Sequence, residues 1–512
     1  MHVFFSLAWF DMASWAWAHY ITEWATKGVF QGERRFYLGA VVDDLFLSTG
    51  VFDFNAPNQQ GPDERLTGAQ LSAMAEAQDR MNAKHKAEVF TDYAFNGYGI
   101  LKKVVGSAYL VSSSSGSGLL PKGEKPNPPE GIAPQLPVNW LSTAVPGMTA
   151  EFPTWRAKDD LLDTTLSILD KFHWQSHSYS HLVRDNLGVS DCSIEDSGNA
   201  QIAVLTGMFG SDNYNWRSMT TPGISGLFNK NCLESGAANL MKCYPGDNTY
   251  DGVQTSVSLV SLKSPYYGVF TTEATNGYKG AQIIPRFATN VYYNCVTTDC
   301  LIQENEKIRR DVCGCVPLDP NQPITSCSGC AVNNIGSFRN IEALFKTEQI
   351  TTTRYILSGR RDKYMFHQAN VIPTATPKGT KSLLEYWYEV VLEQLAAFIN
   401  TDTFPIKTLK FDDLCQNFAE HEYLDNSNSL VTSTVAYATG AITGMTIATT
   451  AEAGLIPITV PTASAASISL GTLVPYKTEV YGADTTYYFT TSESAKPIPF
   501  TKPAVSELAP VP

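Results

Sequence analysis

Two carboxylates stand side by side at Asp43 and Asp44, at the end of the apolar run FYLGAVV. Neighbouring residues of an extended chain point to opposite faces, so the pair serves one site only if the chain turns there. Without such a turn it reads as a helix N-cap or a solvated turn. Turned inward, one carboxylate can bind a metal while the other takes a proton. The second cluster is His177-Ser178-Tyr179-Ser180-His181, with His173 four residues upstream, so three of the 8 histidines fall in one short stretch. Histidines at i and i+4 share one helical face, which lets two imidazoles reach one cation from a single turn. Neutral imidazole is a common ligand for zinc and similar divalent ions. The same spacing also arises incidentally, and His173 reads as structural. Two His and one Asp, with positions left open for water and substrate, form a hydrolytic donor set and not a closed structural one. A cation held there would polarise an amide carbonyl and acidify a water, and the second Asp would take that water's proton.

Such a site needs rigid elements behind it. Arg35 to Phe46 reads as a buried strand, since its run is apolar on both faces. A helix is expected at about Thr67–Phe90 and another over Asp159–Asp170, where Leu161, Leu162, Leu166 and Leu169 recur at helical spacing. A short strand at Lys171–Trp174 then runs into the histidine cluster. The alternation resumes at Ala281–Tyr293 and Tyr364–Val371, which predicts an α/β fold, a distorted (β/α) barrel whose strand ends carry the site. Ser382–Asn400 reads as an amphipathic helix that lays Leu384, Trp387, Val391, Leu395 and Phe398 on the barrel wall. After about Asn426 charged residues thin out, while Thr, Ala, Ser, Ile and Val alternate as in the short strands of a β-rich domain. The organisation expected is one large domain over 1–425, with a Ser-, Gly- and Pro-rich surface excursion at 107–137 and a cysteine-containing, loop-rich part at 192–330. A small β-rich domain over 426–493 and a Pro-rich, extended or disordered tail at 494–512 complete it.

A chain of 512 residues exceeds what one hydrophobic core organises, a limit of roughly 250–300 residues. Its 43% hydrophobic and 17% charged residues make a globular composition. The net charge of −13, with no basic stripe, excludes nucleic acid and leaves a neutral or cationic partner. The 10 cysteines point to an oxidising compartment. All but Cys415 lie between Cys192 and Cys330. Cys313, Cys315, Cys327 and Cys330 have a spacing that suits a structural zinc, but disulfides are favoured in an exported chain. Met1–Trp24 lacks the early basic residues and clean apolar run of a signal peptide. Its Phe5, Ala8, Trp9, Met12, Trp15, Ala16 and His19 recur at helical steps and predict a buried amphipathic helix. No run is long and apolar enough for a transmembrane span. The expectation is a secreted protein, extracellular or at the cell wall, whose natural gene product begins upstream of Met1. The absence of an Asn-x-Ser/Thr sequon weighs mildly against it. Oligomeric state is not legible.

In VVDDLFL, HSYSH with its preceding Ser176, IIPRFATNVYYN and YMFHQANV, the chain resembles the NodB-type polysaccharide deacetylases. GERRFYLGAVVDDLFLSTG, SHSYSH and PRFATNVYYN together are similar, more closely, to the fungal galactosaminogalactan deacetylase group, carbohydrate esterase family 18. The likeness runs in ordered islands over roughly residues 15–420. It implies a barrel of the polysaccharide deacetylase type that removes N-acetyl groups from an extracellular amino-sugar polysaccharide and releases acetate. It also implies Asp43 as general base, Asp44, His177 and His181 as ligands of one divalent metal, zinc, His367 as the acid that protonates the leaving amine, and Arg286 as the group that orients and tunes the base. Amide hydrolysis needs such a base, electrophile and acid. The chain departs from the family where Arg286-Phe287-Ala288 replaces Arg-x-Pro, which removes the proline that shapes that loop and leaves the oxyanion donors unplaced. The aspartate that tunes His367 is also unplaced, with Asp362 a candidate. Tyr292 and Tyr293 suit the lining of a substrate groove and suit core packing equally. Two rival readings stay open: a non-catalytic carbohydrate-binding or cell-wall protein, and a deacetylase of chitin-like or O-acetylated polymers.

Overall fold

The computed structural model describes residues 11–105, 154–246, 266–312 and 340–504, except 54–55, 57–58, 429–430, 439–440, 450–452, 466–473 and 492–495. The excursion expected at 107–137 and the group Cys313, Cys315, Cys327 and Cys330 lie outside the described residues.

The centre is a nine-stranded sheet. Its strands are β1 (Ala40–Leu45), β2 (Thr91–Phe95), β3 (His173–Ser176), β4 (Tyr214–Met219), β5 (Cys243–Pro245), β6 (Val269–Phe270), β7 (Gln282–Ile284), β8 (Arg286–Ala288) and β9 (Lys363–His367). The spatial order is β8-β9-β1-β2-β3-β4-β5-β7-β6, and every pairing is parallel except the last. β1 reads Ala-Val-Val-Asp-Asp-Leu and is buried almost throughout, as strands of a parallel sheet covered on both faces must be. The sheet is the row of parallel strands a barrel would need. Among the described residues no ladder joins β8 to β6, so what the structure shows of the expected distorted barrel is a parallel-rich sheet with helices packed on it.

Helices wrap this sheet. The structure has α1 (Met12–Thr26), α2 (Gly68–His85), α3 (Gly97–Val105), α4 (Asp160–Ser167), α5 (Val189–Thr206), α6 (Ile341–Leu357), α7 (Leu383–Ala396) and α8 (Phe411–Asn428) among its helices. Thr67 and Gln70 form a capping box that starts α2, and Ser382 caps α7 by accepting from the Glu385 N–H. Leu384, Trp387, Val391 and Leu395 of α7 are buried, with Trp387 against Tyr364 and Phe366 of β9. Phe398, placed by its spacing on the same face, falls beyond the last turn and is exposed, because the helix ends at Ala396. The first helix is not buried as its spacing predicts. Met12 and Trp15 pack on the core and His19 bonds the Leu357 carbonyl at 2.7 Å, but Trp17, Tyr20, Ile21 and Trp24 form a second apolar row that stays exposed. A helix on the rim buries only one face. Phe5, Ala8 and Trp9 lie outside the described residues.

At the C-terminal end, Ala453–Pro461, Asp484–Thr491 and Lys477–Tyr481 form a sheet that also takes in Phe30–Gln31 from ahead of β1. A second sheet joins Val431–Ala438, Ala441–Thr449 and Lys496–Ala504. The Pro-rich tail is therefore a paired strand over 496–504. Its backbone bonds the Ala441–Thr449 strand. Disulfides join Cys192 to Cys232, Cys243 to Cys415 and Cys295 to Cys300 among the described residues. No helix among the described residues is long and apolar enough to cross a membrane.

Candidate active site

Asp43 and Asp44 lie near the end of β1, the third strand from one edge of the sheet, at the carboxyl ends of the parallel strands, where such sheets open a crevice. Asp43 lies opposite His367 in the β1–β9 register. On the other side the β1–β2 register slips between Val42 and Leu45, a bulge that admits one extra residue. Asp44 takes the left-handed φ of 68° and Phe46 that of 78°. The chain turns at the pair, and the turn brings both carboxylates to one place. α3 packs tightly behind it: a methyl group on Gly99 would meet the Phe46 carbonyl at 2.3 Å.

His177 and His181 follow β3 on a loop. The expected helical turn does not form: the segment is irregular, and Ser178 and His181 have φ of 61° and 67°. The loop nevertheless folds the two rings to within 4.9 Å of each other, centroid to centroid. His177 donates from Nδ1 to the Thr220 carbonyl at 2.7 Å, which leaves Nε2 to face Asp44 Oδ1 at 3.2 Å. His181 Nε2 reaches the same oxygen at 3.1 Å. These three donor atoms lie within 4.8 Å of one another. Two imidazole nitrogens and a carboxylate oxygen in that space fit a divalent cation.

Beside this triad, Arg286 opens β8 and its guanidinium reaches across β9 to donate to Asp43 Oδ2 at 2.7 Å. His367, at the end of β9, holds Nε2 at 3.8 Å from the same oxygen. All six candidates of the metal, base and acid set are thus brought together. The two tyrosines part ways. Tyr293 is 54% exposed with its ring 5.5 Å from that of His367, whereas Tyr292 packs on the core and points its hydroxyl at Asn305 Oδ1, 3.3 Å away. Asp362 does not tune His367. It precedes β9 at the opposite end, about 16 Å from His367 at the usual strand rise, and is clasped by Arg360 through bonds of 2.9 and 2.6 Å. The carboxylates facing His367 are Asp43 and Asp44. His173 opens β3 at that same far end, 3.5 Å from buried Asp92 and stacked on Phe90, a structural place.

Electrostatics separate the groups. Burial would raise Asp44, but His181, His177 and His367 hold its carboxyl well below the usual range. Burial would lower His181, yet Asp44 above all raises it. For His367 burial wins and lowers the imidazole, Arg286 adding to the effect and the two aspartates opposing it.

The supports of the site carry no motif. Asn96 donates to the carbonyls of His177 at 2.6 Å and Ser178 at 2.9 Å. Asn199 of α5 holds Ser176 Oγ, the Phe95 carbonyl and the Gly97 N–H. Asn370 accepts from the His367 N–H and donates to the carbonyls of Tyr292 and Cys295, tying His367 to the Tyr293 loop. The signal that marks them is a polar residue on a buried face: α5 turns Asp191, Glu195, Asp196 and Asn199 inward.

Residues 38–432 match the family model of the Agd3 deacetylase domain. The chain belongs to that family. The matched span contains all eight candidate residues from Asp43 to His367, and it ends where the C-terminal strands begin. The solved structure of Agd3, described as a novel carbohydrate deacetylase, superposes with a TM-score of 0.75 at 23% identity, over 96% of this chain and 69% of that one. At that identity the likeness shows a shared fold. A GH57-type branching enzyme from the hyperthermophilic archaeon Pyrococcus horikoshii reaches a TM-score of 0.36 at 10% identity over 75% of this chain and 70% of that one, too slight to carry an argument. No curated protein matches. Membership of the Agd3 deacetylase family bears out the resemblance read from VVDDLFL, HSYSH, PRFATNVYYN and YMFHQ.

Proposed function

We propose that this chain is a metal-dependent N-deacetylase of an extracellular, galactosaminogalactan-like polysaccharide, releasing acetate and leaving free amines. The observation that carries the reading is the convergence of Asp44, His177 and His181 beside an Asp43 already bonded to Arg286 and faced by His367. A binding protein that had merely kept the fold has no use for so complete a set.

Asp44 Oδ1, His177 Nε2 and His181 Nε2 would hold one divalent ion, zinc by its donor set. Bound there, the metal supplies polarisation of the acetamide carbonyl and an acidified water. Asp43 takes the proton from the attacking water. Its Oδ2 is fixed by Arg286, and its buried Oδ1 has no hydrogen-bond partner among the described residues, so that oxygen is open to the incoming proton. Arg286 thereby orients the base and keeps its lone pair directed into the site. His367, its Nε2 3.8 Å from Asp43 Oδ2, delivers a proton to the departing nitrogen. Tyr293 offers an exposed ring on which a sugar face can stack, and Tyr292 backs it from the core. Three disulfides among the described residues support an oxidising, extracellular setting.

The test is acetate release from partially acetylated galactosaminogalactan, with partially acetylated chitosan oligomers in parallel, before and after chelation and with zinc restored. Release that stops with chelator and returns with zinc is the expected result, with preference for the galactosamine polymer. Release insensitive to chelation overturns the metal reading; release from the chitosan oligomers alone overturns the substrate.

A further inference from the structure

The His177–His181 loop joins two ligands through backbone that side-chain-bearing residues rarely adopt. Ser178 and His181 have φ of 61° and 67°, a region such residues occupy only when the surroundings fix them there. One buried side chain does much of the fixing. Glu195 of α5 is fully buried. Its Oε2 accepts from the Ser180 N–H at 3.0 Å, its Oε1 from the Ser180 hydroxyl, and its own carbonyl from the Tyr179 N–H at 2.9 Å. The middle of the loop is thus gripped from one side by Glu195 and from the other by Asn96, which holds the carbonyls of His177 and Ser178. The next residue of α5, Asp196, anchors the far end of the loop through Arg184, at 2.7 and 3.0 Å.

Burying a carboxylate is costly unless its oxygens are satisfied, and a helix gains nothing in packing from a Glu where an apolar residue would fill the space. The Glu195 carboxylate bonds neither Asp44, His177 nor His181. It reaches the triad through Ser180, the residue bonded to His181. We infer that Glu195 is a positioning residue that sets the His181 imidazole against Asp44 and so fixes the affinity of the triad for a divalent cation. This rests on the metal reading proposed above.

The experiment uses the full chain, stripped of metal and titrated with Zn2+ and Co2+ against a chromogenic chelator. Glu195→Ala weakens zinc binding by on the order of 10–100-fold, the range for groups that orient metal ligands. Glu195→Gln retains one acceptor and recovers part of that loss. The Co2+ absorption bands shift in Glu195→Ala, a signature that a merely structural role would leave alone. If Glu195→Ala does not fold, as judged by circular dichroism of the metal-free protein, Ser180→Ala removes one of the two side-chain bonds and must itself weaken zinc binding. Wild-type protein that binds neither ion overturns the metal reading and this inference with it. Wild-type binding matched by folded Glu195→Ala or Ser180→Ala, with the same cobalt spectrum, overturns the inference alone.

Discussion

Asp43 and Asp44 are the same side chain in neighbouring positions, and their neighbours divide their work. Arg286 claims an oxygen of Asp43, and two imidazoles claim an oxygen of Asp44. Replacing Asp44 or His181 with Ala should therefore remove bound metal and turnover together. Asp43→Asn keeps metal at the wild-type level and lowers kcat by about 10²–10⁴-fold, the usual worth of a general base. Metal analysis alongside acetate release separates the two classes, and full turnover in Asp43→Asn would refute the assignment of the base. Tyr293→Ala touches neither group. It should raise KM by roughly several-fold with a smaller change in kcat, since a stacking ring binds substrate and transition state alike.

Elements place these side chains, and β1 with its turn does most of the placing. α3 approaches the turn that follows the Val42–Leu45 bulge through Gly99. Gly99→Ala would drive a methyl group into the Phe46 carbonyl, so it should shift the turn and weaken zinc binding, read by chelator competition on folded protein. The Cys243–Cys415 disulfide is a different kind of device. It ties the first residue of β5 to α8, closing a separation of 172 residues at the end of the sheet away from the site. Replacing both cysteines with Ala should cost about 2–4 kcal/mol of stability in denaturant titrations, while zinc content and turnover stay unchanged below the melting transition. Loss of activity without loss of stability would contradict that division of labour.

At the scale of the whole molecule, one buried carboxylate links the sheet's two neighbours. Glu33, between Phe30–Gln31 and β1, meets His421 of α8, the Tyr488 hydroxyl of the C-terminal sheet, and Arg361 at 3.8 Å. Burial would raise its carboxyl, but His421, Arg361 and Arg35 hold it far below the ordinary glutamate value of 4.5. The sign follows from linkage: a depressed carboxylate contributes stability that is complete above its unfolded pKa and is lost as pH falls through the folded one. Glu33→Gln should thus melt below wild type at pH 7, by about 3–5 kcal/mol if the uncompensated cations stay buried. The gap between the two proteins should close progressively as pH drops below 4.5. A gap that persists unchanged into acid would show that the node holds by shape and not by charge.

The candidate residues were legible because each cluster is short in sequence and chemically unusual: adjacent carboxylates after an apolar strand, and paired histidines after another. Strand and helix positions were legible from periodicity, which depends on local geometry alone. The exposed second face of α1 and the paired Pro-rich tail were not, since each depends on what an element meets in space. The helical reading of HSYSH failed for the same reason, because Glu195 and Asn96, remote in sequence, hold the loop in a conformation its own residues do not favour. Nor could residue order alone distinguish Asp362 at the base of β9 from Asp43 at its top as the neighbour of His367. Sequence by itself determined which chemical groups exist and which elements carry them. Only the tertiary structure decided which groups meet, because contacts between distant segments are set by packing and buried hydrogen bonds that no local pattern records.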